Sequence, residues 1–207
     1  MKGEKFMTKR IYISADYSNE DGDLNVVDVL NQWAKDNYHI LDFTDMAKVI
    51  SGSVANNNPD CRPCDLKQEF NKQINLSSIV VFVVGDKTAK RISGSNCQRN
   101  TLGKYCTCTP YKHNSNGAKY CKVESTCSVG PLDDVGNINS YSYLRHEFEQ
   151  AKKKNKKIVI LYNSSRYEES WLPSYMKGYE ECAFPFWKDK QLGNVNYSQV
   201  KKALGYE

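Results

Sequence analysis

The stretch Tyr141-Ser-Tyr-Leu-Arg-His-Glu147-Phe-Glu-Gln-Ala151-Lys-Lys-Lys-Asn-Lys-Lys157-Ile-Val-Ile-Leu-Tyr162 decides the fold. Leu144, Phe148 and Ala151 recur at helical spacing and make one apolar face. The basic run from Lys152 to Lys157 closes that helix, at the end where the dipole favours cations. The apolar residues that follow, Ile158 to Tyr162, show no polar alternation and read as a strand buried on both faces. A helix feeding such a strand is half of a parallel α/β unit. Tyr143 and Glu147 stand four apart and share one helical face, slightly off the core stripe. Judged by spacing alone, Glu147 is an ordinary solvated helix residue.

The same grammar runs outward from this unit. Lys9 to Ser14 is a short apolar strand that ends in the polar loop 15–23. Leu24 to Asp36 carries Val26, Val27, Leu30, Trp33 and Ala34 on one helical face, with Asp21 or Asp23 as a cap. A second strand is expected over Tyr38 to Phe43. Asp65 then caps a helix expected over Leu66 to Leu76, with Leu66, Phe70 and Ile74 inward. Ser78 to Val84 is the most apolar strand of the chain. Downstream, Ala183 to Trp187 predicts an edge strand, because Pro185 cannot donate to a ladder. A last helix is expected over about Tyr197 to Leu204. Alternating strands and helices predict a doubly wound α/β fold, with a mainly parallel sheet of about five strands in the flavodoxin-like order 2-1-3-4-5.

At 207 residues the chain suits one domain over 9–207, with 1–8 as a leader. No apolar run approaches the ~20 residues of a membrane span, and the start lacks a secretory apolar core, so a cytoplasmic protein is expected. The net charge of +5 is mild, and no nucleic-acid motif accompanies it. The Lys152–Lys157 run reads as a solvated helix end. Neither membrane nor nucleic acid is expected as a partner.

Between 86 and 140 the pattern breaks into a Cys-, Asn-, Ser- and Gly-rich insertion, far longer than the ~15 residues of ordinary loops. Of eight cysteines, Cys61-x-x-Cys64 and Cys106-x-Cys108 can supply four thiolates to a structural zinc, which would offset the loop's entropy. Disulfides and free thiols are the alternatives. Because the insertion directly precedes the helix of Glu147, its position suits a lid, a partner-sensing surface or a selector of the attacking nucleophile.

Several chemistries are absent. No glycine-rich dinucleotide fingerprint follows the first strand, and there is no phosphate-binding P-loop. No Gly-x-Ser-x-Gly elbow exists, and His39, His113 and His146 have no evident partner serine. The fold instead gathers Ser14, Asp16 and Tyr17 after the first strand, Asp45 after the second, and the Tyr143/Glu147 face. One carboxylate among hydroxyls and aromatic rings suits chemistry through an oxocarbenium-like cation. Cleaving an N-glycosidic bond to nicotinamide needs no general acid, because that leaving group departs neutral.

Arg10-Ile-Tyr-Ile-Ser14 with its polar loop resembles the opening of TIR domains. Ser77-Ser-Ile-Val-Val-Phe-Val-Val-Gly-Asp-Lys-Thr88 is similar to the strand unit of the bacterial TIR-like branch, and Tyr143-Leu-Arg-His-Glu147…Ala151…Lys157-Ile-Val-Ile to its aromatic-x-x-x-Glu helix and following strand. The resemblance covers most of 9–163. It implies NAD+ as substrate, nicotinamide release, and an ADP-ribose-derived product, whether linear, cyclic or conjugated. It places the catalytic glutamate at Glu147 and substrate contacts at Ser14, Asp16, Tyr17, Asp45 and Tyr143, where Tyr143 stands in a position more often filled by Trp. It further implies self-association and anti-phage defence of the Thoeris kind, with a phage-derived trigger and a separate effector reached through the product. The competing expectation is a catalytically silent TIR-type adaptor, in which Glu147 is structural; a nucleotide-binding sensor is a third.

Overall fold

A computed structural model describes residues 9–16, 23–35, 42–45, 70–91, 111–113, 119–121 and 142–206, with 42–45, 111–113 and 119–121 as backbone only. The strands are β1 (Arg10–Ser14), β2 (Asp42–Asp45), β3 (Ile79–Val84), β4 (Tyr111–His113), β5 (Lys119–Cys121), β6 (Lys157–Tyr162), β7 (Ala183–Pro185), β8 (Trp187–Asp189) and β9 (Asn194–Val195). The helices are α1 (Leu24–Lys35), α2 (helical residues 70–76), α3 (Tyr143–Lys153) and α4 (Tyr197–Ala203).

β1, β2, β3, β6 and β7 form one parallel sheet in the order β2-β1-β3-β6-β7, which along the chain is 2-1-3-4-5. Every residue of β3 is buried, and alternation divides them between two cores. Ile79, Val81 and Val83 face α1 and α4 together with Ile11, Ile13, Leu30 and Val200. Val80, Phe82 and Val84 face α2 and α3 together with Phe70, Ile74, Leu144, Phe148 and Ala151. Covering both faces explains why the strands read as unbroken apolar runs. β7 is the edge that Pro185 requires, since it pairs with β6 and, among the described residues, its other side carries no strand of the sheet.

Two elements depart from expectation. The second strand is seen at Asp42–Asp45, later than the Tyr38–Phe43 expected; 36–41 lie outside the described residues. The insertion, read as loop, contains a small antiparallel ribbon in which Tyr111 pairs with Cys121 and His113 with Lys119.

The turn from α3 into β6 fixes the register of the deciding stretch. Asn155 adopts a left-handed backbone at φ 50°. Its N–H donates to the Lys152 carbonyl at 2.9 Å and the Lys156 N–H to the Ala151 carbonyl at 2.9 Å, a Schellman cap. The cap aims the Lys156 ammonium at α2's exit, where it donates to the carbonyls of Asn75 (2.9 Å) and Ser77 (2.7 Å). Burial, and then Lys154, hold Lys156 below the usual lysine pKa.

Candidate functional site

Tyr12 and Ser14 are two apart on β1, so both project to the face that α3 covers. α3 begins at Ser142, whose hydroxyl accepts from the Arg145 N–H at 3.1 Å as an N-cap. Little more than a turn further, Glu147 descends between helix and sheet. It is wholly buried, with 0 % of its surface exposed. The Tyr12 hydroxyl donates to Oε1 at 2.5 Å and the Ser14 hydroxyl donates to Oε2, so both carboxylate oxygens are engaged by β1. Burial pushes the Glu147 carboxyl up to about 7, against the lowering effect of the Ser14 and Tyr12 hydrogen bonds. The solvated residue that spacing suggested is therefore a core carboxylate, poised to gain or lose a proton near neutral pH.

Tyr175 stands at the same helix start, its hydroxyl 3.4 Å from the Ser142 hydroxyl and its ring 5.9 Å from that of Phe148. Burial is the main cause lifting its pKa to about 12, with the Glu147 charge adding to it. Tyr143 is half-buried and packs edge-on against Phe70 at 5.6 Å. Asp16 turns to Arg91, whose Nε lies 2.5 Å from its Oδ2. Of the residues picked from sequence, Ser14 meets Glu147, whereas Asp16 and Tyr143 have the other partners just named. Asp45 pairs in register with Ile13 as backbone. Tyr17, Cys61, Cys64, Cys106 and Cys108 lie outside the described residues. Among the described residues no group of three His, Cys, Asp or Glu could hold a metal ion, and Cys182 is a half-buried free thiol.

Sequence reasoning misses Tyr12, which reads only as part of a short apolar strand; the available signal is a hydroxyl two residues before Ser14. It also misses a second buried carboxylate. Asp23, just ahead of α1, accepts from Asn163 Nδ2 at 2.8 Å at the C-terminal end of β6. Asn163 in turn accepts from Trp187 Nε1 at 2.9 Å and donates to Asn25 Oδ1 at 2.9 Å. Burial raises Asp23 to about 6, countered by the Asn163 hydrogen bond. This network ties α1, β6 and β8 together at the sheet edge where ligands of such folds bind. The polar Asn163 directly after a five-residue apolar run was the available cue.

No family model matches the chain, and no curated protein matches it. Among solved structures, the chain is similar to one titled "Crystal Structure of a prokaryotic SEFIR domain", at 13 % identity over 95 % of this chain and 98 % of that one, with a TM-score of 0.48. No helix of the described residues is long and apolar enough to cross a membrane.

Proposed function

We propose that this chain is a TIR-like enzyme that cleaves NAD+, with Glu147 as the catalytic carboxylate. The observation that carries the reading is a fully buried carboxylate beside the C-terminal end of β1, held by two hydroxyl donors and with a pKa near neutrality. Glu147 ionised would stabilise the positive charge that grows on the nicotinamide-side ribose as neutral nicotinamide leaves. The ribose hydroxyls replace Ser14 or Tyr12 as donors to it, so catalysis requires the pair to open. Tyr143 and the loop after β1 then pack the substrate, and water or another nucleophile completes an ADP-ribose-derived product. The setting proposed is cytoplasmic anti-phage defence of the Thoeris kind, with a phage-derived trigger and an effector that senses the product.

One observation favours a second reading. With no exposed surface and both oxygens occupied, Glu147 also serves as a strut between α3 and β1, as an adaptor domain would use it. Product analysis separates the two. Incubation with NAD+, purified and from phage-infected cells, followed by mass measurement, is expected to show ADP-ribose or a cyclised or conjugated derivative. Unchanged NAD+ in both settings favours the adaptor.

A further inference from the structure

The basic run that closes α3 has a partner in space that its place in the sequence does not reveal. Between α2 and the C-terminal end of α3 lies a groove of about 520 Å³. That volume falls within the ~300–1,000 Å³ of small-molecule sites. Lys72 comes to it from α2, and Lys153 and Lys154 from the end of α3, all three exposed. Among the described residues no carboxylate lines it. Glu149, the neighbouring acid of α3, is engaged by Lys152 at 3.3 Å.

The frame under these cations is braced. Gln150 Nε2 donates to Asn75 Oδ1 at 2.8 Å, and the Lys156 ammonium donates to the carbonyls of Asn75 and Ser77, so the exit of α2 is tied to the end of α3. The end carbonyls of α3 would repel an anion, but they are occupied. That of Gln150 accepts from the Lys154 N–H at 3.0 Å, and those of Ala151 and Lys152 from the capping turn. The α2 wall also carries uncharged groups, the amides of Asn71 and Asn75 and the exposed side chain of Leu76. Asn71 Oδ1 is buried in that wall and accepts no hydrogen bond, an unmet acceptor that a ligand's N–H would satisfy as the amide turns outward.

We propose that this groove binds a nucleotide, with its phosphates on Lys72, Lys153 and Lys154 and its base on Leu76 and the amide of Asn71. Lysines serve phosphate as point charges, and three of them offset most of the charge of a di- or triphosphate. Leu76 gives a base an apolar surface that a bare phosphate could not use. A carboxamide offers one acceptor and one donor side by side, the complement of the donor and acceptor on the edge of adenine. The groove lies where α2 and α3 deliver into the starts of β3 and β6, whereas Glu147 meets the C-terminal end of β1. Binding there is independent of the catalytic reading of Glu147.

Isothermal titration of the full chain with ATP, and separately with inorganic tripolyphosphate, tests it without NAD+. Saturable one-to-one binding of ATP is expected at about 0.1 M salt, weakening at about 1 M salt, where the Debye length falls to about 3 Å. Lys72→Glu/Lys153→Glu/Lys154→Glu should weaken ATP by about tenfold or more, the equivalent of about 1.4 kcal/mol. Reversing the exposed Lys177 and Lys188 to Glu, away from the groove, should leave it unchanged. Leu76→Ser should weaken ATP severalfold and leave tripolyphosphate as it was. Absence of ATP binding, equal binding by the triple variant, or equal loss in the Lys177/Lys188 control overturns the proposal. So does tripolyphosphate binding as tightly as ATP, which would mark a bare anion site with no place for a base. Should the triple variant lose its circular dichroism, Lys154→Glu alone stands in. It is expected to weaken ATP by about threefold, and no weakening overturns the proposal.

Discussion

Glu147 carries the most consequence of any single residue. Its carboxyl moves from 4.5 in the open chain to about 7 in the fold. Between those values the folded state holds a proton that the unfolded chain has released, so stability is greatest below about 4.5 and falls as pH rises through 7. The loss is on the order of 3 kcal/mol. Denaturant unfolding at pH 5 and pH 8 should show Glu147→Gln gaining on wild type at the higher pH, because the amide has no charge to bury. A gain equal at both pH values would mean that the carboxylate is solvated. The Asp23 site predicts a steric result. A Cβ at Gly85 would stand 2.5 Å from Asp23 Oδ1, an atom that Asn163 holds in place. Gly85→Ala should cost about 1–3 kcal/mol. Much of that should be recovered in the double variant with Asp23→Ala, whose non-additivity in thermal unfolding reports the contact.

At the scale of elements, the α3–β6 turn depends on one left-handed residue. Asn tolerates φ 50° better than most, yet glycine suits it more. Asn155→Gly should be neutral or slightly stabilising. Asn155→Val should lose about 1–2 kcal/mol, the cost of a left-handed backbone for a side chain without local hydrogen bonding, as read by denaturant midpoint. This stretch was also the most legible part of the sequence. Leu144, Phe148 and Ala151 announced the buried stripe, and Ile158 to Tyr162 the double-faced strand, because periodicity and continuous apolarity follow directly from burial. Asp23 was legible as a helix-start residue but not as a partner of Asn163, 140 positions away. Glu147 was singled out from the residues only as part of a Tyr143/Glu147 face, and its catalytic role is what the resemblance implies. Its spacing places it beside the stripe, and nothing local reveals that Tyr12 and Ser14 rise to meet it from a strand more than 130 residues earlier. Long-range polar pairing leaves no period in the sequence; apolar packing does.

For the whole molecule, the parallel order β2-β1-β3-β6-β7 sets the division of labour. The ends of β1 and β6 bring the Glu147 and Asp23 networks to the two sides of one sheet edge, where the strand order turns back on itself. If Glu147 must be ionised to act, kcat/KM for NAD+ should rise with pH through about 7 in the free enzyme. An acid limb at the ordinary glutamate value, near 4.5, would place the catalytic charge in a solvated setting instead.

The most direct measurement is nicotinamide release from NAD+ by wild type and Glu147→Gln, each purified and each expressed in phage-infected cells. Gln keeps the volume and one accepting oxygen for the two hydroxyls, so that the other hydroxyl must turn to accept from its amide, while the charge is removed. The account predicts release by wild type that falls by about 10²-fold or more in the variant. Release at equal rates from both, or from neither in either setting, would contradict it.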